Sequence, residues 1–305
     1  MHDSSHDQFA QSLKENVPLA PLTTLGIGGP ARFFADCTTV EALAAGLSWA
    51  RAEALPVFVL GGGSNVVIAD SGFAGLVLRV AIGGIDVVAD PQQAVVTAGA
   101  GEAWDAVVAY TVERNLAGLE CLSGIPGRVG ATPMQNVGAY GQETSETLHM
   151  VEALDLETAE LVRFDNRDCE FGYRASRFKG RDQGRYVITR VSYCLQPKGA
   201  PAVRYAELQR TLADRGATQP TLAQVREAII AIRRRKAMVI DPADGDSRSV
   251  GSFFMNPTVT AEAFERLRAI AGRFLHKDET MPAFPTADQH VKLSAAWLIE
   301  RAGIL

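Results

Sequence analysis

Short apolar runs bounded by polar or glycine-rich turns recur along most of this chain. Strands are predicted for six of these runs, at residues 57–60, 66–68, 77–80, 95–98, 151–156 and 186–195. Segments with apolar residues at three- and four-residue spacing separate some of the runs. Short strands mixed with single helices predict an α+β fold.

Two helices are predicted in the first half of the chain by this spacing. The first covers 39–53, where Thr38 and Glu41 have the spacing of a capping box. The second covers 103–115 and places Trp104 on an apolar face.

A third helix is predicted after Thr221, whose capping-box partner is Gln224. Its last turn carries the four cations of residues 233–236. Cations at a helix C-terminus stabilise the helix dipole by about 0.3–1 kcal/mol each. The same cations could bind an anion, and the sequence leaves both interpretations open.

Composition limits the classes of protein to which the chain can belong. With 305 residues and 47% hydrophobic content, it can bury a sizeable core in two or three domains. Its net charge of -5 argues against general binding to nucleic acid or to acidic membranes. No apolar run approaches the roughly 20 residues of a membrane span, and residues 1–7 show no secretory signal. We therefore expect a cytoplasmic protein.

Cysteine and histidine residues give no indication of a metal centre. The four cysteines are widely dispersed and form no CxxC pair: Cys37, Cys121, Cys169 and Cys194. The five histidines are scattered along the chain. We expect reduced, mostly buried thiols and no metal.

A glycine triplet opens the first candidate site, which comprises Gly61, Gly62, Gly63, Ser64 and Asn65. It lies between the predicted strands 57–60 and 66–68, and it lacks both the lysine and the following helix of common nucleotide-binding loops. Consecutive glycines can leave convergent N–H groups bare for a pyrophosphate. An ordinary hairpin-like turn is the alternative interpretation.

A second glycine-rich loop follows, and its candidate ligand residues are Ser123, Gly124, Ile125, Pro126, Gly127, Gly130 and Ala131. Another glycine-rich stretch occupies 135–141. Small residues allow the backbone to lie against a flat ring system and to bond its heteroatoms directly. Two such loops in one chain favour a flavin.

Five ordered motifs resemble those of the UDP-N-acetylenolpyruvoylglucosamine reductases: residues 23–29, 60–65, 123–141, 171–174 and 251–257. The resemblance runs along most of the chain and implies an α+β fold. That fold is the vanillyl-alcohol-oxidase (PCMH) type, with two α+β FAD-binding subdomains and a third, substrate-binding α+β domain.

The resemblance implies domains at residues 1–80, 81–200 and 201–305, and the sequence places a proline-containing linker at 197–201. Family members continue beyond this chain with a glutamate-bearing segment, so the expectation is a third domain truncated at its C-terminus. No histidine occurs between residues 60 and 70, which agrees with noncovalent FAD.

The implied reaction is the reduction of an enolpyruvyl nucleotide sugar by NADPH through FAD, in peptidoglycan precursor synthesis. By motif position, Ser252 resembles the proton donor, and Arg174 resembles the arginine that binds the substrate carboxylate. A guanidinium suits a carboxylate because it can donate two parallel hydrogen bonds. Lys236 could stabilise the alkoxide character of the serine.

The resemblance also implies which residues hold the UDP-sugar, namely Tyr140, Tyr205, Lys236 and Asn256. Tyr205 has the position of the tyrosine that marks the type I branch of the family. Taken alone, each of these residues could serve only packing or solubility.

Two other functions stay open at this point. One is a different flavoenzyme of the same fold, such as a sugar or lactone oxidase; the other is a catalytically impaired protein that binds flavin or UDP-sugar without the C-terminal glutamate. In every case the expected partners are small molecules rather than nucleic acid or membrane, and a monomer is expected.

Overall fold

The computed structural model describes residues 9–251, 254–275, 279–286 and 288–304. Contacts divide the chain into two compact units, Met1–Ser249 and Val250–Leu305. The three domains expected from the sequence, with borders after residues 80 and 200, stay a prediction. In the described part of the chain, no helix is long and apolar enough to cross a membrane.

The first unit begins with a four-stranded sheet. Its strands are β1 (Lys14–Pro18), β2 (Pro30–Cys37), β3 (Val57–Leu60) and β4 (Phe73–Val80), in the order β1-β2-β4-β3. Strand β1 is antiparallel to β2, whereas β4 runs parallel to both β2 and β3. Helix α1 (Val40–Ala52) connects β2 to β3, as parallel strands require a crossover.

A second, antiparallel sheet follows in the same unit. Its strands are β5 (Ile85–Ala89), β6 (Ala94–Gly99), β10 (Leu148–Asp155), β11 (Leu161–Asp165) and β12 (Tyr186–Pro197), in the order β11-β10-β12-β6-β5. The short strand β7 (Leu116–Ala117) pairs with the end of β12, and β8 (Gly138–Ala139) pairs with β9 (Gln142–Glu143). Helix α2 (Trp104–Glu113) follows β6.

One hydrophobic cluster joins these two sheets. It contains Leu43 of α1 and Leu76 of β4 together with Val96 of β6 and Val151 of β10, all of them fully buried. Trp104 lies in the same cluster and donates its indole N–H to the carbonyl of Leu122 at 3.1 Å. The two sheets are therefore held as one body by apolar burial.

Helices α3 (Ala206–Asp214) and α4 (Leu222–Arg235) complete the first unit and pack on a smaller cluster around Cys121. The second unit contains the sheet β13-β15-β14, from Thr258–Thr260, His290–Leu293 and Ala283–Pro285. It also contains helices α5 (Ala261–Ala271) and α6 (Ala295–Arg301).

The predicted helices and five of the six predicted strands are confirmed, but the predicted strand 66–68 is wrong. Residues 66–68 form no ladder; Val66 and Ile68 instead pack side chains on the cluster of Leu19 and Leu60. The glycine triplet therefore does not join two strands. The cap of α1 is also one residue later than predicted, because the hydroxyl of Thr39 accepts the N–H of Ala42 at 3.1 Å.

Candidate functional site

The two glycine loops, residues 61–65 and 123–131, lie against each other. A Cβ added to Gly62 would stand 3.0 Å from the Cα of Gly127, and one added to Gly127 would stand 2.8 Å from the Oγ of Ser64. The Ser64 hydroxyl also donates to the carbonyl of Pro126 at 3.4 Å. Side chains at these glycines would push the loops apart, so the pattern of small residues serves their approach.

The paired loops present the polar backbone that a dinucleotide cofactor requires. Among the described residues, no protein acceptor takes the N–H groups of Gly62, Gly63 or Ser64. A Cβ added to Gly61 would meet no atom within 4 Å, so this backbone faces open space. Bare N–H groups beside open space fit the pyrophosphate of FAD.

Asp105, in the first turn of α2, binds the second glycine loop. Its carboxylate accepts the N–H of Gly124 at 2.6 Å and two guanidinium bonds from Arg226 of α4, at 2.6 and 2.8 Å. Burial opposes ionisation of Asp105, but these hydrogen bonds and the charge of Arg226 outweigh it and lower the pKa of the carboxyl group. The carboxylate thus joins the loop to a helix more than a hundred residues later.

The two predicted sugar-binding tyrosines come together. The rings of Tyr140 and Tyr205 are 5.5 Å apart at 88°. Tyr140 lies in the two-residue turn of the β8–β9 hairpin, where it and Gly141 both have positive φ, as in a type I′ turn. Lys236 follows α4, and its ammonium contacts Glu207 of α3 at 2.6 Å. The structure thus brings the tyrosine pair and Lys236 to the place where α3 begins and α4 ends.

Arg174 lies in a turn that is attached to the glycine-rich stretch 135–141. Its backbone has φ of 52°, and a bridge between Gly172 and Ala175 closes the turn around it. The amide of Asn136 donates to the carbonyl of Gly172 at 3.3 Å. Arg174 is half-buried, so it is not the fully solvated charge that its sequence alone allows.

The remaining predicted residues belong to the second unit or lie outside the described part. Ser252 lies outside the described residues. The side chain of Asn256 accepts the N–H of Ala295 at 2.9 Å, at the start of α6. This bond uses the amide oxygen of Asn256, and its amide nitrogen is a donor.

Ser123 of the second loop turns inward rather than toward the open space. It is fully buried, and its hydroxyl donates to the carbonyl of Glu120 at 2.7 Å. Its predicted contact with FAD stays a prediction, and the hydroxyl already has a partner in the protein.

Arg233 is a candidate that the sequence did not single out from its run of cations. It is 9% exposed, whereas Arg234 and Arg235 are exposed. Its terminal nitrogen donates to the carbonyl of Met238 at 2.9 Å, and its Nε has no partner among the described residues. Burial lowers the pKa of Arg233, whereas the nearby side chains of Tyr140 and Asp105 oppose that shift. Arg233 lies on the same helix face as the apolar residues Val225, Ile229 and Ile232, and this spacing could have predicted its burial from the sequence.

Comparison with known proteins shows which family the chain resembles. A family model described as an FAD binding domain matches residues 31–165. The chain is 47% identical to the UDP-N-acetylenolpyruvoylglucosamine reductase of Thermobifida fusca over 96% of this chain and 82% of that protein. It is 50% identical to the enzyme of the same name from Nocardia farcinica, over 96% of this chain and 74% of that protein.

The chain belongs to the UDP-N-acetylenolpyruvoylglucosamine reductase family.

A solved structure supports the fold assignment of this reductase-family chain. The crystal structure of UDP-N-acetylenolpyruvylglucosamine reductase from Thermus caldophilus matches with a TM-score of 0.54 and 22% identity, over 95% of this chain and 94% of that one. The predicted α+β fold of the FAD-binding type is thereby confirmed.

Proposed function

We propose that the chain reduces UDP-N-acetylenolpyruvoylglucosamine to UDP-N-acetylmuramate with NADPH, through noncovalent FAD held between the two glycine loops. The observation that carries this proposal is the approach of Gly62 to Gly127, which brings the second glycine loop against the bare N–H groups of the first. Membership of the reductase family supplies the substrate class.

Bound FAD supplies the hydride chemistry of the reaction. The chain must then stabilise the negative charge that develops next to the substrate carboxylate. It must also deliver a proton to the carbon that bears this carboxylate. We assign the carboxylate to the guanidinium of Arg174, which can donate two parallel bonds. We assign the proton to the hydroxyl of Ser252, by its place in the motif 251–257.

The nucleotide sugar is assigned to Tyr140, Tyr205, Lys236 and Asn256. The edge-to-face tyrosine pair offers ring surface and hydroxyl groups, and Lys236 offers a cation. Lys236 is paired with Glu207, so a pyrophosphate must compete with that carboxylate for the ammonium. Arg233 adds a second, buried cation beside Tyr140.

We further propose that the protein acts as a monomer in the cytoplasm. All four cysteines are free, and Cys37, Cys121 and Cys169 are buried. Burial raises the pKa of each of these three thiols to about 12, which keeps them protonated and unreactive. Free thiols are typical of a reducing compartment.

Replacement of a single glycine tests the FAD site without disturbing the fold. Gly61→Ala adds a methyl group that meets no protein atom, so the melting temperature of the apoprotein should stay unchanged. The affinity for FAD should fall about tenfold, about 1.4 kcal/mol, because the methyl group holds the cofactor away from the backbone. FAD binding is measured by titration of the apoprotein and by the two-band visible spectrum of oxidised flavin.

Gly245→Ala is the matched control, since its added Cβ also meets no atom within 4 Å and Gly245 lies far along the chain from both loops. It should change neither stability nor FAD affinity. A properly folded wild-type protein that is colourless after incubation with excess FAD and removal of the unbound cofactor would refute the proposed cofactor.

The acid role is tested by separating the two half-reactions. Ser252→Ala should leave the reduction of flavin by NADPH intact but abolish formation of the nucleotide product, because only the second half needs the proton. Unchanged turnover would remove Ser252 from the mechanism. Steady-state oxidation of NADPH by the wild type, beyond one equivalent per flavin, should require the enolpyruvyl nucleotide. Rapid consumption of oxygen in its absence would favour the sugar or lactone oxidase alternative.

A further inference from the structure

Two buried polar side chains, Glu120 and Gln142, lie at the junction of three segments that lead to the candidate site. Glu120 is 1% exposed and Gln142 is 3% exposed. The three segments are 118–124, which enters the second glycine loop, 138–143, which carries Tyr140, and 199–205, which ends at Tyr205.

The Glu120 carboxylate joins the first of these segments to the third. Its Oε2 accepts the N–H of Gly118 at 2.7 Å, and its Oε1 accepts the N–H of Ala202 at 2.7 Å. No ion pair to this carboxylate occurs among the described residues, so backbone N–H groups alone satisfy it. Hydrogen bonds to a charged, buried acceptor are about twice as strong as neutral ones.

Two contacts of Cys121 complete the junction. Its N–H donates to Oε1 of Gln142 at 3.0 Å, and its thiol donates to the carbonyl of Ala202 at 2.9 Å. Gln142 follows the turn that contains Tyr140. The two tyrosine segments are thus bound to the same two residues, 120 and 121, which lie directly before the second glycine loop.

We propose that Glu120 is a positioning residue for the nucleotide sugar: through the N–H of Ala202 it sets where Tyr205 stands relative to Tyr140 and the second glycine loop. The side chain of Tyr205 is 47% exposed and makes no capping hydrogen bond, so apart from the ring of Tyr140 its position is set by the backbone on either side of it. This inference rests on the proposed function, because it assumes that Tyr205 binds the substrate.

The test is Glu120→Gln, which keeps the shape of the side chain. One carboxylate oxygen becomes an NH₂ group, which cannot accept, so one of the two backbone N–H groups loses its partner. We expect the KM for the enolpyruvyl nucleotide to rise about tenfold. Both kcat and the rate of flavin reduction by NADPH should change less than twofold, because the variant leaves the flavin loops in place.

A double-mutant cycle separates positioning from general destabilisation. If Glu120 acts through Tyr205, Glu120→Gln should raise KM in the wild type but not in the Tyr205→Ala background. Hydrogen exchange of the segment 200–205 in the FAD-bound protein should also accelerate. Asp155→Asn is the matched control: this carboxylate is 2% exposed at the far end of β10, and its loss should lower the melting temperature without changing KM.

Gln142→Met gives a second, independent variant should Glu120→Gln fail to fold. It removes the acceptor for the N–H of Cys121 and should raise the same KM, with coupling to Tyr140→Ala. An unchanged KM in the variant that folds, or an equal KM rise with and without Tyr205, overturns the inference. A wild-type protein that does not turn over the nucleotide contradicts the proposed function instead.

Discussion

Helices α4 and α5 begin in the same way but are used differently. Each follows a threonine whose hydroxyl accepts an N–H of the first turn at 3.2 Å, from Gln224 in α4 and from Ala263 in α5. Helix α4 buries one face, formed by Leu222, Val225, Ala228, Ile229, Ile232 and Arg233. Helix α5 buries none of its residues, and its Ile270 is 53% exposed.

The interactions that start a helix differ from those that fix its side chains in a binding site. A cap and a favourable composition act within one turn of chain and suffice to start both helices. Helix α4 is anchored by its buried face and by the Asp105–Arg226 pair, so it can hold Arg233 and Lys236 in fixed positions beside Tyr140. Within the described residues, α5 supplies no such anchored side chain.

The largest difference between the helices should appear when an isoleucine is shortened in each. Ile229→Ala removes a fully buried side chain and should lower the free energy of unfolding by about 2–5 kcal/mol. Ile270→Ala, at an exposed position, should change it by no more than about 0.5 kcal/mol. Urea unfolding of both variants measures the difference, and equal losses would show that α5 is packed as tightly as α4.

Removal of the N-cap threonine should have the same effect on α4 and on α5. Thr221→Ala and Thr260→Ala should each cost about 1 kcal/mol locally, because each removes the acceptor of a first-turn N–H. Amide exchange in the first turn of each helix should therefore accelerate about fivefold. Thr221→Ala leaves the bond from the residue 221 N–H to Gln224 at 2.9 Å in place, so a much larger effect in α4 than in α5 would contradict this account.

The smallest change in stability should come from pH, through the ion pair of Asp105 with Arg226 of α4. Because folding lowers the pKa of Asp105 below its ordinary value of 3.8, the stability it contributes is complete above that pH. That stability is lost as the pH falls through the lower, folded value. Asp105→Asn should cost up to about 1 kcal/mol at pH 7, since the side chain is 40% exposed, and the cost should shrink toward pH 3.

Thermal unfolding of wild type and Asp105→Asn between pH 7 and pH 3 measures this convergence. Arg226→Gln removes the same ion pair from the other side and should show the same trend. A difference between wild type and Asp105→Asn that grows on acidification would mean that Asp105 is not held in its charged form by α4.

The sequence predicted the candidate site in its parts but not in its arrangement. It found both glycine loops, and the loops do meet at Gly62 and Gly127. It placed a strand at 66–68, because β-branched residues favour strands, whereas burial of Val66 and Ile68 in a side-chain cluster uses the same apolar character without pairing. It did not single out Arg233, because a run of four cations looks uniform until the helix face is known.

By itself, the sequence determined where helices and most strands form, and which small residues let two backbone loops approach each other, since these depend on neighbours along the chain. Its five motifs also determined the family. Tertiary structure alone decided that Glu120 and Cys121 tie the segments of Tyr140 and Tyr205 together, and that Asp105 reaches Arg226. Such contacts join residues far apart in sequence, and folding brings them within bonding distance. They form because polar groups that are buried need hydrogen-bond partners.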